Sequence, residues 1–406
     1  MTERRDSKIA APRPDDPLIG GTVEVEVGPI AHGGHHVARH EGRVIFVRHA
    51  LEGERVRVLV SEGAEGASFL RGDAVEVLSA SASRVEAPCP YAGPGRCGGC
   101  DFQHVAPTAQ RELKAKVVRE QLHRLAGIDR DVVVEAITGD EDGLGWRTRV
   151  RWSATSDGRP GLLAHRSSDV VPVDRCLIAH RDLPSAADVL ATGVESASSV
   201  LSSTGERVVV PHPGPRTTVT EVAAGRRWQV GAGDFWQVHP GAADTLATAV
   251  RDGAELEPGE RCWDLYAGVG LFSGVLADGV GPDGAVVAVE SHRRAVDHLR
   301  QNLADQPQVR AILDRVDRFV RSRQAQGHLE VVVLDPPRAG AGKDVVRRIA
   351  ARAPRVVVYV ACDPAALARD LATFAAEGYR LDSLRALDLF PMTHHIECVA
   401  VLHPAR

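Results

Sequence analysis

The 406-residue chain carries 49 Lys and Arg residues against 54 Asp and Glu residues, a formal net charge of −5 at pH 7. This balance excludes a general electrostatic attraction to polyanions, so any binding of nucleic acid depends on a local basic patch. The length predicts two or three domains, and no apolar stretch in the sequence reaches the length of a membrane span.

The first residues, 1–17, are polar and contain several prolines. They lack the apolar core of a signal peptide, so we predict a disordered tail and a cytoplasmic protein. The chain also contains seven cysteines. An odd number without a secretory signal argues against a disulfide framework and points to metal binding or catalysis.

Residues 18–81 predict a small β domain. The strings TVEVEV, RVIFV and ERVRVLV alternate apolar and polar residues, and turn-like segments separate them. Several short strands of this kind indicate a small barrel of the OB type, a fold that often binds oligonucleotides. A β-barrel adaptor without such a function fits the same pattern.

A cluster of cysteines opens the next region, residues 82–242, which we predict to be an α+β middle domain. Cys97 and Cys100 form a CxxC with two glycines inside, and Cys89 lies eight residues before Cys97. Cys176 is the best-placed fourth ligand. Four thiolates suit zinc or an iron–sulfur cluster, whereas a thioredoxin-like redox pair lacks the necessary βαβ pattern around it.

The middle region contains further patterns. PTAQRELKAKVVREQLHRLAG predicts an amphipathic helix that ends at Gly127 and exposes its charged face to solvent. In WRTRVRW, Arg147, Arg149 and Arg151 alternate along a predicted strand, where they form either a phosphate-binding patch or an ordinary polar face. Gln237, in GDFWQVHPG, precedes another predicted helix and could act as a buried, cap-like structural group at its start.

Residues 243–406 alternate strands and helices, which predicts a doubly wound parallel sheet. DLYAGVG places Tyr266 and Gly268 in the first turn after a strand, and Glu290 ends the next strand, where an acidic residue suits a ribose diol. A dinucleotide loop is the alternative, but its third glycine is absent. Asp335, in DPPR, ends a further strand, where it acts in the site or caps the next helix.

Cys362 follows the apolar run VVVYVA and precedes a proline and a helical pattern. The run predicts a buried parallel strand, so the cysteine stands at the carboxyl end, where open α/β sheets place their chemistry. A buried, inert thiol is the alternative, because free cysteines are among the most buried residues.

Long strings of the sequence resemble the RNA uridine-5 methyltransferase family. YVACDPAALARDL is similar to the nucleophile motif of that family and LFPMTHHIECVAVL to its final motif, with DPPRAG between the cofactor motif and the cysteine. DLYAGVG with Glu290 resembles the class I methyltransferase signature, and FWQV resembles the glutamine motif of the family. The β domain resembles a TRAM domain, and PCPY…CGGCDFQH resembles the [4Fe-4S] motif.

The resemblance implies a class I methyltransferase that uses S-adenosylmethionine to methylate C5 of a uridine in RNA. It implies that Cys362 is the nucleophile that adds to C6 and that Glu397 is the base that removes the C5 proton. It favours 23S rRNA as the substrate, with tRNA as the alternative, and we expect a monomer. It further implies cofactor contacts and a [4Fe-4S] cluster, the former from Gln237, Tyr266, Gly268, Glu290 and Asp335, the latter held by Cys89, Cys97, Cys100 and Cys176.

The sequence departs from the family pattern beside the nucleophile and in the cofactor motifs. Asp363 and Ala361 stand where asparagine and serine are usual, and Leu271 and His239 each replace a usual asparagine. A carboxylate at Asp363 is expected to raise the pKa of the Cys362 thiol if both are charged and close. A catalytically lapsed RNA-binding paralogue and an amino-group methyltransferase acting through DPPR are the alternative functions.

Overall fold

A computed structural model describes residues 14–137, 142–190 and 193–405. Within these ranges no helix is long and apolar enough to cross a membrane. The chain divides into two compact units, the first ending at Glu86 and the second beginning at Ala87. The predicted tail lies outside the described residues up to residue 13, whereas Asp16 is buried and forms an ion pair with Arg43 at 2.7 Å. The predicted domain boundaries stay predictions.

The described residues of the first unit form a closed β-barrel. Its strands are β1 (Thr22–Ile30), β2 (His36–His40), β3 (Arg43–Arg48), β4 (Arg55–Glu62) and β5 (Phe69–Ser79). They close in the order β1-β2-β3-β5-β4, with β3 and β5 parallel and the other neighbours antiparallel. Alternate residues point inward, and Val, Ile, Leu and Ala side chains fill the core. The predicted OB-like barrel is confirmed.

The second unit begins with residues 87–106, called here the cysteine segment, which are followed by α1 (Pro107–Gln121). The helix continues as one π-helical turn, Leu122–Ala126, and ends at Gly127, which adopts a left-handed conformation. The prediction of a solvated charged face is wrong for Lys114, which is buried with its Nζ 2.5 Å from Asp388 Oδ1. Tertiary pairing explains the difference, because a lysine is almost never fully buried without a partner.

Two smaller sheets follow in the described residues. Their elements are β7 (Arg149–Ala154), β8 (Pro160–Leu163), β9 (Val170–Pro172), α2 (Ala186–Leu190), β10 (Ser196–Leu201), β11 (Arg207–His212), β12 (Thr218–Ala223) and β13 (Arg226–Gly231). One sheet has the order β11-β10-β7-β8-β9, and the other pairs β12 with β13. Both alternatives for the arginines of WRTRVRW, a phosphate-binding patch and an ordinary polar face, are wrong for Arg149, which is buried and donates to Glu221 at 2.9 Å. Arg151 is exposed.

The described residues also form an eight-stranded mixed sheet. Its strands are β6 (Val134–Ala136), β14 (Arg261–Leu265), β15 (Ala285–Glu290), β16 (Val309–Leu313), β17 (Val331–Leu334), β18 (Val356–Ala361), β19 (Tyr379–Asp388) and β20 (Glu397–Pro404). The order is β16-β15-β14-β17-β18-β20-β19-β6. The first five strands are parallel, and β20 joins β18 in the antiparallel sense.

Helices cover both faces of this sheet. They are α3 (Ala242–Ala254), α4 (Leu271–Val280), α5 (Arg293–Asn302), α6 (Val316–Phe319), α7 (Lys343–Ala350) and α8 (Pro364–Ala376). Side chains of α3, α4 and α5 share one apolar core with Val356, Val358 and Val360 of β18. Those of α1, α6, α7 and α8 share a second core with Val357 and Tyr359. The predicted doubly wound sheet is confirmed, and burial on both faces explains its continuous apolar runs.

One edge of the sheet collects the sequence motifs. The parallel strands β14, β15, β17 and β18 end there, and they are followed by or contain Tyr266, Glu290, Asp335 and Cys362. Because β20 runs in the opposite direction to β18, it starts at the same edge with Glu397. Open α/β sheets bind their ligands at this carboxyl edge.

Candidate active site

The turn 266–270, called here the glycine turn, connects β14 to α4. Tyr266 has a φ of +67°, a conformation that is rare for a bulky side chain and is found mainly at turns and functional sites. A Cβ atom at Gly270 would lie 3.0 Å from Leu299 Cγ, whereas one at Gly268 would meet nothing within 4 Å. The glycine turn is therefore packed against α5 at Gly270 and faces open space at Gly268.

Glu290 ends β15 and holds the glycine turn. One of its carboxylate oxygens accepts the backbone N–H of Gly268 at 3.0 Å, and the other accepts that of His292 at 2.7 Å. The Ser291 hydroxyl also donates to the second oxygen, at 3.2 Å, and because a carboxylate offers about four lone pairs, about one further hydroxyl group can still be accepted. Three predicted cofactor residues, Tyr266, Gly268 and Glu290, thus belong to one small assembly.

Two buried carboxyl groups stand on the neighbouring strands β14 and β17. Asp264 accepts a hydrogen bond from Ser273 Oγ at 2.5 Å, and burial raises the pKa of Asp264 to about 7. Burial and then the charge of Asp264 raise the pKa of Asp335 to about 7. Asp335 does not cap the next helix, because Gly342 occupies the N-cap position of α7.

Cys362 and Glu397 lie at the same end of β18 and β20. The antiparallel register pairs Ala361 with Cys398, so Cys362 and Glu397 are the next residues at that end. Burial, then the charges of Glu397 and Asp335, raise the pKa of Cys362 to about 11, and Arg338 opposes the rise. Burial and the charge of Asp335 raise the pKa of the Glu397 carboxyl well above its ordinary value.

The residue after the cysteine has a structural role. Asp363 is the N-cap of α8, and its side chain accepts the backbone N–H of Ala366 at 2.7 Å. Asp and Asn are equally favoured at this position, which explains how aspartate can stand where asparagine is usual. The carboxylates that raise the pKa of Cys362 most are Glu397 and Asp335 rather than this immediate neighbour.

Asp370, on α8, holds the loop that follows Asp335. Its carboxylate accepts the hydroxyl of Tyr359 at 2.7 Å and the backbone N–H groups of Ala341 and Gly342, at 2.7 and 3.2 Å. A buried carboxylate with several donors is a firm anchor, because charge-assisted hydrogen bonds are the strong ones. The DPPRAG loop is therefore fixed to the helix that begins beside Cys362.

The loop 389–396 leads into Glu397 and is tied to the cysteine segment. Met392 has a φ of +65°, and its carbonyl oxygen accepts the backbone N–H groups of Asp101 and Phe102 at 2.9 and 3.0 Å. Asp101 Oδ2 lies 2.6 Å from His394 Nδ1. The general position of Glu397 thus depends on residues almost 300 positions earlier in the chain.

Arg338 and His395 meet at this loop. Arg338 Nη2 lies 3.2 Å from His395 Nε2. Burial and the charges of His394 and Arg338 lower the pKa of His395 to about 3, so the ring is neutral at physiological pH. A neutral imidazole beside the guanidinium leaves the positive charge of Arg338 undiluted near Cys362.

Gln237 lies in the segment before α3 and is buried. Its neighbour Trp236 packs in the same apolar core as the glycine turn. His239 stacks on Trp146 with ring centroids 5.9 Å apart. The interpretation of Gln237 as a helix cap is wrong, because Gly241 is the N-cap of α3 and no side chain bonds there.

These features agree with known proteins. The family model described as tRNA (uracil-5-)-methyltransferase matches residues 262–405, and the TRAM domain model matches residues 18–75. An uncharacterized RNA methyltransferase of Streptomyces coelicolor is 48% identical over 96% of this chain and 94% of its own length. The chain belongs to the RNA uracil-5 methyltransferase family. A further member from Corynebacterium efficiens, also described as an uncharacterized RNA methyltransferase, is 38% identical over 94% of both chains.

A solved structure supports the fold of this RNA methyltransferase. The tRNA (uracil-54, C5)-methyltransferase of Pyrococcus abyssi, in complex with S-adenosyl-L-homocysteine, superposes with a TM-score of 0.66. It shares 22% sequence identity, and the match covers 93% of this chain and all of that one. The similarity establishes the class I S-adenosylmethionine-dependent methyltransferase fold.

The four predicted cluster ligands of the methyltransferase approach one another in the fold. Burial raises the pKa of Cys97, Cys176 and Cys100, the last to about 12, and neighbouring cysteines including Cys89 add to each rise. A Cβ atom at Gly98 would lie 2.6 Å from the backbone of His165, in the loop between β8 and β9, which explains a glycine there. Among the described residues, no three His, Cys, Asp or Glu side chains are grouped to hold a metal ion as they stand.

Sequence reasoning missed several residues that support the site. Lys114 and Asp388 form a buried pair below the loop 389–396, and Asp101 holds that loop through His394. These contacts join distant segments and leave no periodic signal. Asp370 could have been identified from the sequence, because it lies in the LARDL string that follows Cys362 and carries part of the family resemblance.

Proposed function

We propose that this methyltransferase transfers the methyl group of S-adenosylmethionine to C5 of a uridine in RNA through a covalent bond between Cys362 and C6. The observation that carries the proposal is the meeting of a thiol and a buried carboxyl group at the ends of β18 and β20. Cys362 and Glu397 are close enough for the charge of the carboxylate to raise the pKa of the thiol. A nucleophile beside a base is what covalent catalysis requires.

The chemistry follows from the weak nucleophilicity of uracil C5. The Cys362 thiolate adds to C6, and the electron pair of the C5–C6 double bond moves to give an enolate with carbanion character at C5. C5 forms a bond to the methyl carbon as the bond from that carbon to the sulfonium sulfur breaks, and S-adenosylhomocysteine leaves. Glu397 then removes the C5 proton, and the C6–sulfur bond to Cys362 breaks to restore the double bond. The net change replaces the C5 hydrogen by a methyl group and releases one proton to the base.

Burial and neighbouring charges shift the two pKa values on which these steps depend. A base works best when its pKa lies near the working pH, and burial beside Asp335 moves the pKa of Glu397 upward from its ordinary value. The nucleophile must lose its proton, and because the pKa of Cys362 is raised to about 11, the thiol is mostly protonated at neutral pH; the charge of Arg338 opposes that rise. The target base must also leave its stack to reach a sheet edge, so base flipping is expected.

The glycine turn fits the cofactor. The open space at Gly268 admits a ligand, and Glu290 beside it can accept a hydrogen bond from a ribose hydroxyl. Gln237, Tyr266 and Asp335 are the further residues that we propose to contact it. S-adenosylmethionine supplies an electrophilic methyl group when it is bound there.

The RNA substrate has two candidates. The TRAM domain and the cysteine segment favour 23S rRNA, as the resemblance implies. The solved structure with the same fold over its whole length acts, by its description, on uracil-54 of tRNA, which favours tRNA. We propose rRNA as the first substrate to test and tRNA as the second, in a cytoplasmic monomer.

We further propose that Cys89, Cys97, Cys100 and Cys176 hold a [4Fe-4S] cluster. The donor set of four cysteines supports this in kind and number, because burial and neighbouring cysteine thiolates raise the pKa of Cys97, Cys100 and Cys176, so these thiols need a cationic centre to become thiolates. Protein purified without oxygen should show broad visible absorption. Cys97→Ser should abolish it, Cys262→Ser should retain it, and an absorption-free wild-type protein with no bound iron would contradict the proposal.

The decisive experiment uses RNA that contains 5-fluorouridine. A base cannot remove fluorine from C5, so the covalent complex should accumulate and survive denaturing electrophoresis. Wild-type protein with S-adenosylmethionine should form it, and Cys362→Ala should not. RNA binding without any adduct would favour the catalytically lapsed paralogue.

Mass spectrometry identifies the substrate. Separated 23S rRNA and tRNA from a strain that lacks the gene should differ from the parent in 5-methyluridine content in one of the two fractions. Reintroduction of the wild-type gene, but not of a Cys362→Ala gene, should restore the modification. Loss confined to tRNA would exclude the rRNA assignment, and loss of a methylated amino group instead would exclude C5 chemistry.

A further inference from the structure

The chain of 406 residues contains a single asparagine, Asn302, which is the last residue of α5. Three positions at which asparagine is usual in the family carry Asp363, Leu271 and His239 instead. In the structure these three residues provide a helix cap, an apolar contact and a ring stack. Other residue types can serve such purposes. The one asparagine in the chain therefore points to a task that needs its particular donors and acceptor.

Asn302 makes three hydrogen bonds. Its Oδ1 accepts the backbone N–H of Gln229 at 2.7 Å, and its Nδ2 donates to the carbonyl oxygens of Gln229 and Val269, both at 3.1 Å. An amide side chain has one acceptor oxygen and two N–H donors, so this arrangement uses every polar group that it has. A charged aspartate has the same shape but donates no hydrogen bond, and glutamine is longer by one methylene group.

The two partners of Asn302 belong to different parts of the second unit. Val269 lies in the glycine turn, whereas Gln229 lies on β13, which pairs with β12. Because both backbone groups of Gln229 bond to one amide, the Asn302 side chain binds β13 as a neighbouring strand would. Trp228 strengthens this attachment, since a Cβ atom at Gly274 of α4 would lie 2.7 Å from its ring. The strand β13 is thus fixed to the glycine turn and to the helix that follows it.

The strand β13 leads into residues 232–238, called here the glutamine segment because they contain Gln237. Arg294 lies on α5 about two turns before Asn302. Its Nη2 is 2.5 Å from Oδ1 of Asp234, in the glutamine segment. One helix therefore holds the glycine turn at its end and the glutamine segment near its start.

The strand β7 holds the glutamine segment from another side. Arg149 donates to the carbonyl oxygens of Ala232 and Asp234, at 3.3 and 3.1 Å. The backbone N–H and the hydroxyl of Thr148 both donate to the carbonyl oxygen of Val238, at 2.8 Å. The glutamine segment is bonded near both of its ends, so its distance from the glycine turn depends on how α5 connects the two.

We infer that Asn302 is a positioning residue for S-adenosylmethionine, because it fixes the glycine turn relative to the glutamine segment. The inference rests on the proposed function in taking Gly268 and Gln237 as cofactor contacts. Arg294 supports the same spacing through Asp234. A role in folding alone is the competing explanation, and it predicts lost stability without lost affinity for the cofactor.

The test measures the affinity of the full-length protein for S-adenosylhomocysteine by isothermal titration calorimetry. This ligand lacks the sulfonium charge, so a new carboxylate near the pocket does not attract it. Asn302→Asp keeps the shape of the side chain but removes both donors, and it should weaken binding about tenfold, the order of one net hydrogen bond to the ligand. Asn302→Ala adds no charge and should weaken binding at least as much. Gln301→Glu makes the same amide-to-carboxylate change at the exposed neighbouring position and should bind as wild type.

Steady-state methylation separates cofactor positioning from a general defect. In Asn302→Asp, the KM for S-adenosylmethionine should rise about tenfold, whereas kcat and the KM for RNA should stay within about twofold of wild type. Arg294→Gln removes a partly exposed ion pair, which costs little stability, and should raise the same KM by a smaller factor.

The outcomes distinguish this inference from the proposed function. Asn302→Asp and Asn302→Ala proteins that bind S-adenosylhomocysteine like wild type, with or without a lower melting temperature, would overturn the inference, whether or not wild type forms the 5-fluorouridine adduct. If neither variant folds, unchanged affinity in Arg294→Gln would overturn it. Weakened binding in the variants, with no adduct from wild type, would keep the positioning role and overturn the proposed covalent chemistry.

Discussion

A contact between Asp101 and His394 joins the cysteine segment to the loop 389–396 at the carboxyl edge of the large sheet. Asp101 Oδ2 lies 2.6 Å from His394 Nδ1 and accepts the backbone N–H of the same histidine at 3.0 Å. Asp101 directly follows Cys100, and His394 stands three residues before Glu397. The two segments are far apart in the sequence. The fold makes them neighbours, so the cysteine segment helps to position the proposed base.

The first prediction concerns this pair. Asp101→Ala should slow methyl transfer by about ten- to a hundredfold, because small misplacements of a catalytic group cost that much, and should leave S-adenosylmethionine affinity unchanged. Single-turnover transfer of labelled methyl groups measures it. Asp129→Ala is a matched control, since Asp129 also lies 2.7 Å from a histidine, His123, but on the exposed surface. Equal rates for Asp101→Ala and wild type would exclude a positioning role.

The second prediction concerns the Cys362 thiol, whose pKa is raised to about 11. Alkylation of Cys362 by iodoacetamide should increase about tenfold per pH unit above neutrality and level off near the pKa. Glu397→Gln removes a negative neighbour and should shift this midpoint to lower pH, whereas Arg338→Met should shift it to higher pH. Mass spectrometry of the Cys362 peptide gives the profile.

The two variants provide an internal control for alkylation. Their shifts have opposite signs, so a general loosening of the fold would move both in one direction and would contradict the prediction. Cys262 and Cys398, which are buried, should remain unmodified throughout in folded protein.

The third prediction concerns the buried carboxyl group of Asp264, whose pKa is raised to about 7. Because the folded pKa is higher than the unfolded one, the group's stabilisation is present below about pH 4 and is lost as the pH rises to about 7. Asp264→Asn removes this loss and should therefore raise the melting temperature relative to wild type at about pH 8 and much less at about pH 4.

The size of the Asp264 effect has an upper bound. The rise in pKa from 3.8 to about 7 corresponds to at most about 4 kcal/mol, and amide substitution within the Ser273 hydrogen bond will reduce the gain. The exposed Asp283→Asn protein should melt like wild type at both pH values. A variant less stable than wild type at about pH 8 would show that the carboxylate is held charged instead.

The fourth prediction concerns Lys114 and Asp388, both buried, with Nζ and Oδ1 2.5 Å apart. Lys114→Met leaves a buried carboxylate uncompensated and should lower the free energy of unfolding by about 3–5 kcal/mol. Asp388→Asn in the same protein should recover much of that loss, because the unpaired charge is removed. Urea unfolding of the four proteins in the double-mutant cycle measures the coupling. Additive losses would contradict a buried ion pair.

The sequence by itself determined the architecture and predicted which groups react. Apolar and polar residues alternate in residues 18–81 because only one face of each barrel strand is buried in the core. The strands β17 and β18 are continuous apolar runs because helices cover both faces of their sheet. The motifs around Tyr266, Asp335 and Cys362 are each a short string of consecutive residues, so the motifs and their order can be identified directly in the sequence. The sequence reveals such features because each depends only on residues that are neighbours in the chain.

Tertiary structure alone decided how those groups are held. From the sequence, Asp363 was expected to raise the pKa of the Cys362 thiol. In the fold, Asp363 is the N-cap of α8. Arg149 alternated with its neighbours like an exposed residue, and a partner 72 positions later in the chain buried it. The antiparallel return of β20 brings Glu397 to Cys362, and Asp101 fixes the loop before it. Charges buried by distant partners leave no local pattern, because their stability comes from a pairing that exists only after the chain has folded.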